Sequence, residues 1–163
     1  MKLFMKKAIA LMLVLVAFTL ALSSCEVSTM PSVSIGLKQT GSAGEYNESL
    51  QELEVEERFY GVIKIKMITD SQEIKDYKVV VELPKTKEVE VNRDGGLKPD
   101  SQEEQNGMTV LTFTVKGSKE ATHENIHFTG VPFEKGTAVI TVMIYDENGV
   151  AVNSGYDKTI YFD

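Results

Sequence analysis

The chain has 163 residues, 25% of them charged, with 17 Lys+Arg against 24 Asp+Glu and a formal net charge of −7. That acidity, with no basic run interleaved with aromatics, excludes a nucleic-acid partner, because phosphate backbones are held by clustered Lys and Arg. A single cysteine excludes an internal disulfide, and the length suits one domain with a real core rather than two.

The chain starts with three physical zones. Lys2, Lys6 and Lys7 make a positive beginning, and residues 8–22 are uncharged and rich in Leu, Val and Ala. That run is shorter than the about 20 apolar residues a spanning helix needs, and it suits a secretory signal. It closes on Leu22-Ser23-Ser24-Cys25. Together these zones resemble the signal and lipobox of a bacterial lipoprotein. The resemblance implies a signal peptide at 1–24, removed by cleavage before Cys25. It implies a diacylglyceryl thioether on Cys25, with fatty acids of the palmitate kind. One acyl chain binds a membrane marginally, at about 0.8 kcal/mol per methylene, whereas two hold stably. The expected location is the cell membrane or outer membrane, lipid-anchored and exposed outside the cytoplasm. Lipidation also accounts for an unpaired cysteine in an exported chain. Residues 1–24 contain three of the lysines and no acid, so 14 basic residues then face 24 acidic ones, a net charge near −10.

Residues 25–32 read as the lipidated cysteine and a tether: 26–32 are mostly polar, include Pro31, and reach roughly 23 Å at about 3.3 Å per residue. Residues 41–51 read as a loop. From Phe59 the pattern alternates. Phe59, Ile63, Ile65 and Met67 share one strand face, with Tyr60, Lys64 and Lys66 opposite. Tyr77, Val79, Val81 and Leu83 repeat this until Pro84, which lacks a ladder donor. Val89 and Val91 give a short strand. Residues 92–107 read as a long polar loop whose acids Asp94, Asp100, Glu103 and Glu104 lack the spacing of a calcium loop. Leu111, Phe113 and Val115 line a further strand, and Ile126 and Phe128 another. Residues 138–145, the turn 146–149, a strand at 150–153 and a last one at 158–162 complete the chain. Asn148-Gly149 between apolar runs is a hairpin signal, since Gly tolerates the positive φ of such turns.

Seven to nine short strands without an amphipathic helix predict an all-β fold, a single immunoglobulin-like antiparallel β-sandwich at 33–163. Phe128-Thr-Gly-Val-Pro-Phe-Glu-Lys-Gly-Thr-Ala-Val-Ile-Thr-Val-Met-Ile-Tyr-Asp-Glu-Asn-Gly149, followed by Lys158-Thr-Ile-Tyr-Phe162, resembles the last strands of fibronectin-type-III-like and PKD-like modules. It lacks the tryptophan-containing upstream motif of PKD domains, and the cysteines and core tryptophan of antibody domains.

One constellation points to chemistry. His123-Glu124-Asn125-Ile126-His127 matches H-E-x-x-H, which on a helix turns both imidazoles to one zinc ion with the glutamate as general base. Phe133 occupies the place of the third histidine in the longer version of that pattern, and Val131-Pro132 interrupts soon after. On a strand the two rings stand roughly 13 Å apart and cannot share a metal. The reading as two exposed histidines at a strand entry therefore takes precedence, with no catalytic residue, metal or cofactor assigned. The expected function is a membrane-anchored envelope lipoprotein acting as a protein-binding, adhesion or scaffold module. Its partners would be the membrane, through its lipid, and an envelope protein. A small zinc-dependent hydrolase using His123, Glu124 and His127 is one alternative. A ligand- or glycan-binding envelope protein is another.

Overall fold

The computed structural model describes residues 31–39, 45–67, 75–92, 96–117, 122–152 and 155–163. Leu22, Ser23, Ser24 and Cys25, read from the sequence as a lipobox, lie outside them, as does Asp94. The described strands are β1 (Ser32–Gln39), β2 (Glu52–Leu53), β3 (Phe59–Met67), β4 (Tyr77–Pro84) and β5 (Lys87–Val91), followed by β6 (Ser101–Gln105), β7 (Met108–Val115), β8 (Thr122–Val131), β9 (Gly136–Tyr145) and β10 (Tyr156–Phe162). They form a four-stranded sheet, β1-β3-β8-β5, and a six-stranded sheet, β2-β10-β9-β4-β7-β6. Every named pairing is antiparallel except the two-residue β2, which runs parallel to β10.

The alternation read from the sequence is what closes the sandwich. Ile63, Ile65 and Met67 of β3 face Val79, Val81 and Leu83 of β4 and Leu111, Phe113 and Val115 of β7 in one buried cluster. Ile140, Val142 and Ile144 of β9 and Ile160 of β10 complete it. Removing apolar surface from water at about 25 cal/mol per Å² is the main term holding the two sheets together. Phe59 meets Phe128 edge-on, with ring centroids 6.2 Å apart, and Phe162 at 6.4 Å.

Among the described residues, three polar side chains enter this interior, each with a partner. Lys158 donates from Nζ to the Glu48 carbonyl at 2.6 Å, fastening β10 to the turn at 47–49. Burial pushes its pKa below the ordinary lysine value, with the nearby Glu48 opposing. Thr109 donates to Glu104 at 2.6 Å. Asn92, at φ 46°, donates to the Leu97 carbonyl and accepts the His127 N–H at 2.7 Å, stitching the end of β5 to β8.

Among the described residues there are ten strands, one more than the upper end of the seven to nine expected, for identifiable reasons. β1 was not assigned from the sequence, and its first residue, Ser32, read there as tether, pairs with Lys66. The loop assigned to 92–107 contains β6. Its five residues, Ser-Gln-Glu-Glu-Gln, have no apolar alternation because both of their faces are largely exposed. Asn106 (φ 51°) and Gly107 (φ 78°) form the two-residue hairpin turn joining β6 to β7. At the other end, Asn148-Gly149 does lie in a turn. Asp146 accepts the Asn148 and Val150 N–H groups at 2.9 and 2.8 Å, and Gly149 takes φ 76°. The strand expected at 150–153 is reduced to a bridge, Tyr145 to Ala151, and residue 153 lies outside the described residues.

Candidate functional site

The H-E-x-x-H residues are on β8, not on a helix. His123 and His127 project from the outer, solvent-facing side of the four-stranded sheet, paired across the ladder with Lys66 and Val62. Glu124, opposite Ile65, lies on the other face. Four residues of strand hold the histidines roughly 13 Å apart. Among the described residues no group of three His, Cys, Asp or Glu converges on one point. The zinc reading thus loses its geometric basis: the pattern requires helical spacing, and this backbone is extended.

His127 has a packing role instead. Its Nδ1 lies 3.5 Å from the Tyr46 hydroxyl, and the two rings stand 5.9 Å apart at 51°. Tyr46 passes over Gly36, which has no side chain to obstruct it, and over Val62, which is buried despite its outward direction. Lys38 places its ammonium 4.8 Å from the Tyr46 ring centre and 5.7 Å from that of Tyr60. Burial first, and the neighbouring Tyr60 second, raise the Tyr46 pKa above the ordinary phenol value. Tyr46, the one half-buried residue of 45–49, therefore packs on the outside of the sheet.

Among the described residues the loop acids Asp100, Glu103 and Glu104 do not make a cation site. Asp100 accepts from Thr114 at 2.7 Å, Glu104 from Thr109, and Glu103 from Gln105 at 2.9 Å, so each is satisfied along the β6–β7 hairpin.

Two surface features are not legible in the sequence. The first is the outer edge of β6. Its one neighbour is β7, and among the described residues nothing pairs with its other side. The tight turn closes on the pair Gln105–Met108, so Ser101, Glu103 and Gln105 bond to β7 while the backbones of Gln102 and Glu104 point outward. The second is a shallow apolar depression of about 510 Å³ at the hairpin end, lined by Pro84, Met108, Phe133, Val139 and Phe162. Phe133 and Val139 each keep 37% of their surface exposed. The Asn106-Gly107 dipeptide, flanked by an apolar run on one side only, was the available signal for the β6 hairpin. Nothing in the pattern around Phe133 distinguishes an exposed aromatic from a buried one.

The arrangement is similar to a cohesin module from a Clostridium perfringens family 33 glycoside hydrolase, at 14% identity over 83% of this chain and 98% of that one, with a TM-score of 0.50. It is also similar to the C-terminal domain of the Streptococcus agalactiae polypeptide BspA, at 11% identity over 81% of this chain and 49% of that one, TM-score 0.49. A CARDB domain from Pyrococcus furiosus matches at 14% identity over 82% of this chain and 94% of that one, TM-score 0.44. No family model matches the sequence, and comparison with curated proteins returns no match. Identities this low bear on the fold alone, and the fold is an all-β immunoglobulin-like sandwich.

Proposed function

We propose that this chain is a lipid-anchored lipoprotein of the bacterial envelope whose immunoglobulin-like domain binds a protein partner through the β6 edge. The anchoring half rests on the sequence, namely the basic start, the apolar run and Leu22-Ser23-Ser24-Cys25. The binding half rests on one observation: the free edge of β6 and the apolar depression meet at the β6–β7 turn, where Gly107 and Met108 line the depression. An incoming strand would pair with the outward backbone of Gln102 and Glu104, and its continuation past the β6–β7 turn would bring an apolar side chain to the depression at Met108. Exposed Glu103 and Glu104 favour a partner with basic residues along that strand. A photo-crosslinker at Gln102 tests this reading in envelope extract. A discrete adduct there, absent with the same group at Lys78 on β4, supports it; identical labelling at both positions contradicts it.

A further inference from the structure

The outer face of the four-stranded sheet carries a second arrangement that the proposed contact at β6 does not use. Cross-strand register places Ser32, Lys66 and His123 in one row, and Ser34, Lys64 and Asn125 in the next. These six side chains line a depression of about 200 Å³. At about 30 Å³ per water that is room for roughly seven water molecules, enough for one tetrahedral anion with part of its hydration. Strands about 4.8 Å apart and rows about 7 Å apart bring the six groups within reach of a single ligand.

The chemistry of the lining is one-sided. It offers two ammonium groups, two hydroxyls, an imidazole and a carboxamide, and no carboxylate. This occurs in a chain with seven more acids than bases. Three other cations lie against acids. Lys116 is 2.5 Å from Asp76, Arg58 is paired with Glu88, and Lys75 is 3.9 Å from Glu147. Lys64 and Lys66 are two residues apart on the same face, exposed, and without a carboxylate partner among the described residues. Like charges so placed repel each other until an anion sits between them.

We propose that Ser32, Ser34, Lys64, Lys66, His123 and Asn125 form a site for a phosphate-bearing anion. The lysines supply charge, and the hydroxyls, the imidazole and the Asn125 amide supply directed hydrogen bonds to the phosphate oxygens. Ser32 stands seven residues after Cys25. Two carriers of that phosphate are therefore physically accessible to a tethered domain, a phospholipid headgroup and a soluble phosphate ester. The site stands apart from the β6 contact and does not depend on it.

The test uses the full chain, isotope-labelled, in maltoside micelles. Backbone amide shifts at Lys64, Lys66, His123 and Asn125 are followed by NMR against inorganic phosphate, against phosphatidylglycerol added to the micelle, and against chloride at equal ionic strength. Saturable shifts at these residues with phosphate or with the lipid, absent with chloride, are expected. Saturation with the lipid alone assigns a headgroup, and saturation with phosphate alone assigns a soluble ester. Each charge-assisted hydrogen bond is worth about one to two factors of ten, so Lys64→Gln/Lys66→Gln should raise the apparent dissociation constant about tenfold or more. Lys78→Gln, which removes the same charge from the other sheet, should leave it unchanged. No saturable shift in either arm, or equal binding by the double variant, overturns the proposal.

Discussion

Phe128 lays its ring across Gly61, its partner in the β3–β8 ladder. A Cβ built on Gly61 would fall 2.1 Å from the Phe128 Cζ and within 2.6 Å of both ring Cε atoms. The glycine is thus the gap that lets the aromatic ring fold down toward Phe59 and into the core. Gly61→Ala should destabilise the domain by about 2–3 kcal/mol, the cost of overpacking a filled interior. Phe128→Ala should cost about 3–5 kcal/mol by leaving a cavity. Urea unfolding at constant slope measures both. A Gly61→Ala midpoint equal to that of the parent would show that the ring is free to move aside.

Acid sensitivity should centre on two carboxylates that fasten loops. The Lys116 ammonium and the Gly117 N–H, at 2.5 and 3.1 Å, hold the Asp76 carboxyl below the ordinary carboxylate range. The Val150 and Asn148 N–H groups do the same for Asp146. A carboxyl whose folded pKa is depressed stabilises the fold above its unfolded value. That contribution is lost as pH falls through the folded value, here below about pH 4. Asp76→Asn/Asp146→Asn should therefore melt earlier than the parent at pH 7, with the gap closing as pH falls through that window. Thermal melts across pH 2–7 decide it, and a gap that stays constant with pH contradicts the assignment.

The proposed anchor makes a separate prediction. The wild-type chain should incorporate labelled fatty acid and partition into detergent, and Cys25→Ala should do neither. Labelling that persists in Cys25→Ala would contradict the lipobox reading while leaving the sandwich and its surfaces untouched.

What the sequence revealed depended on how deeply each strand was buried. Where one face is fully covered, as in β3, β4 and β7, the two-residue period was sharp, and its core residues were named correctly. β6 has no buried face and carries no period, although Asn106-Gly107 marks its hairpin. β1 does alternate, Val33, Ile35 and Leu37 against Ser32, Ser34 and Lys38, but the period is short and follows directly on the polar residues read as tether. The H-E-x-x-H match shows the reverse failure. Residue spacing carries metal chemistry only on the backbone that turns the residues together, and β8 separates them. The two-sided lining of Lys64, Lys66, His123 and Asn125 could not be read from sequence either, because it exists only once cross-strand register is fixed.

The central claim, that the domain binds a protein through β6, is tested most directly by retention of an envelope partner on immobilised wild-type chain and on Gln102→Pro. Proline there removes an outward N–H from an edge strand without touching a β6–β7 hydrogen bond, a position where folded sheets accept it. The variant should fold with a near-parental melting temperature and retain at least tenfold less partner. Equal retention by a folded Gln102→Pro chain would contradict the claim.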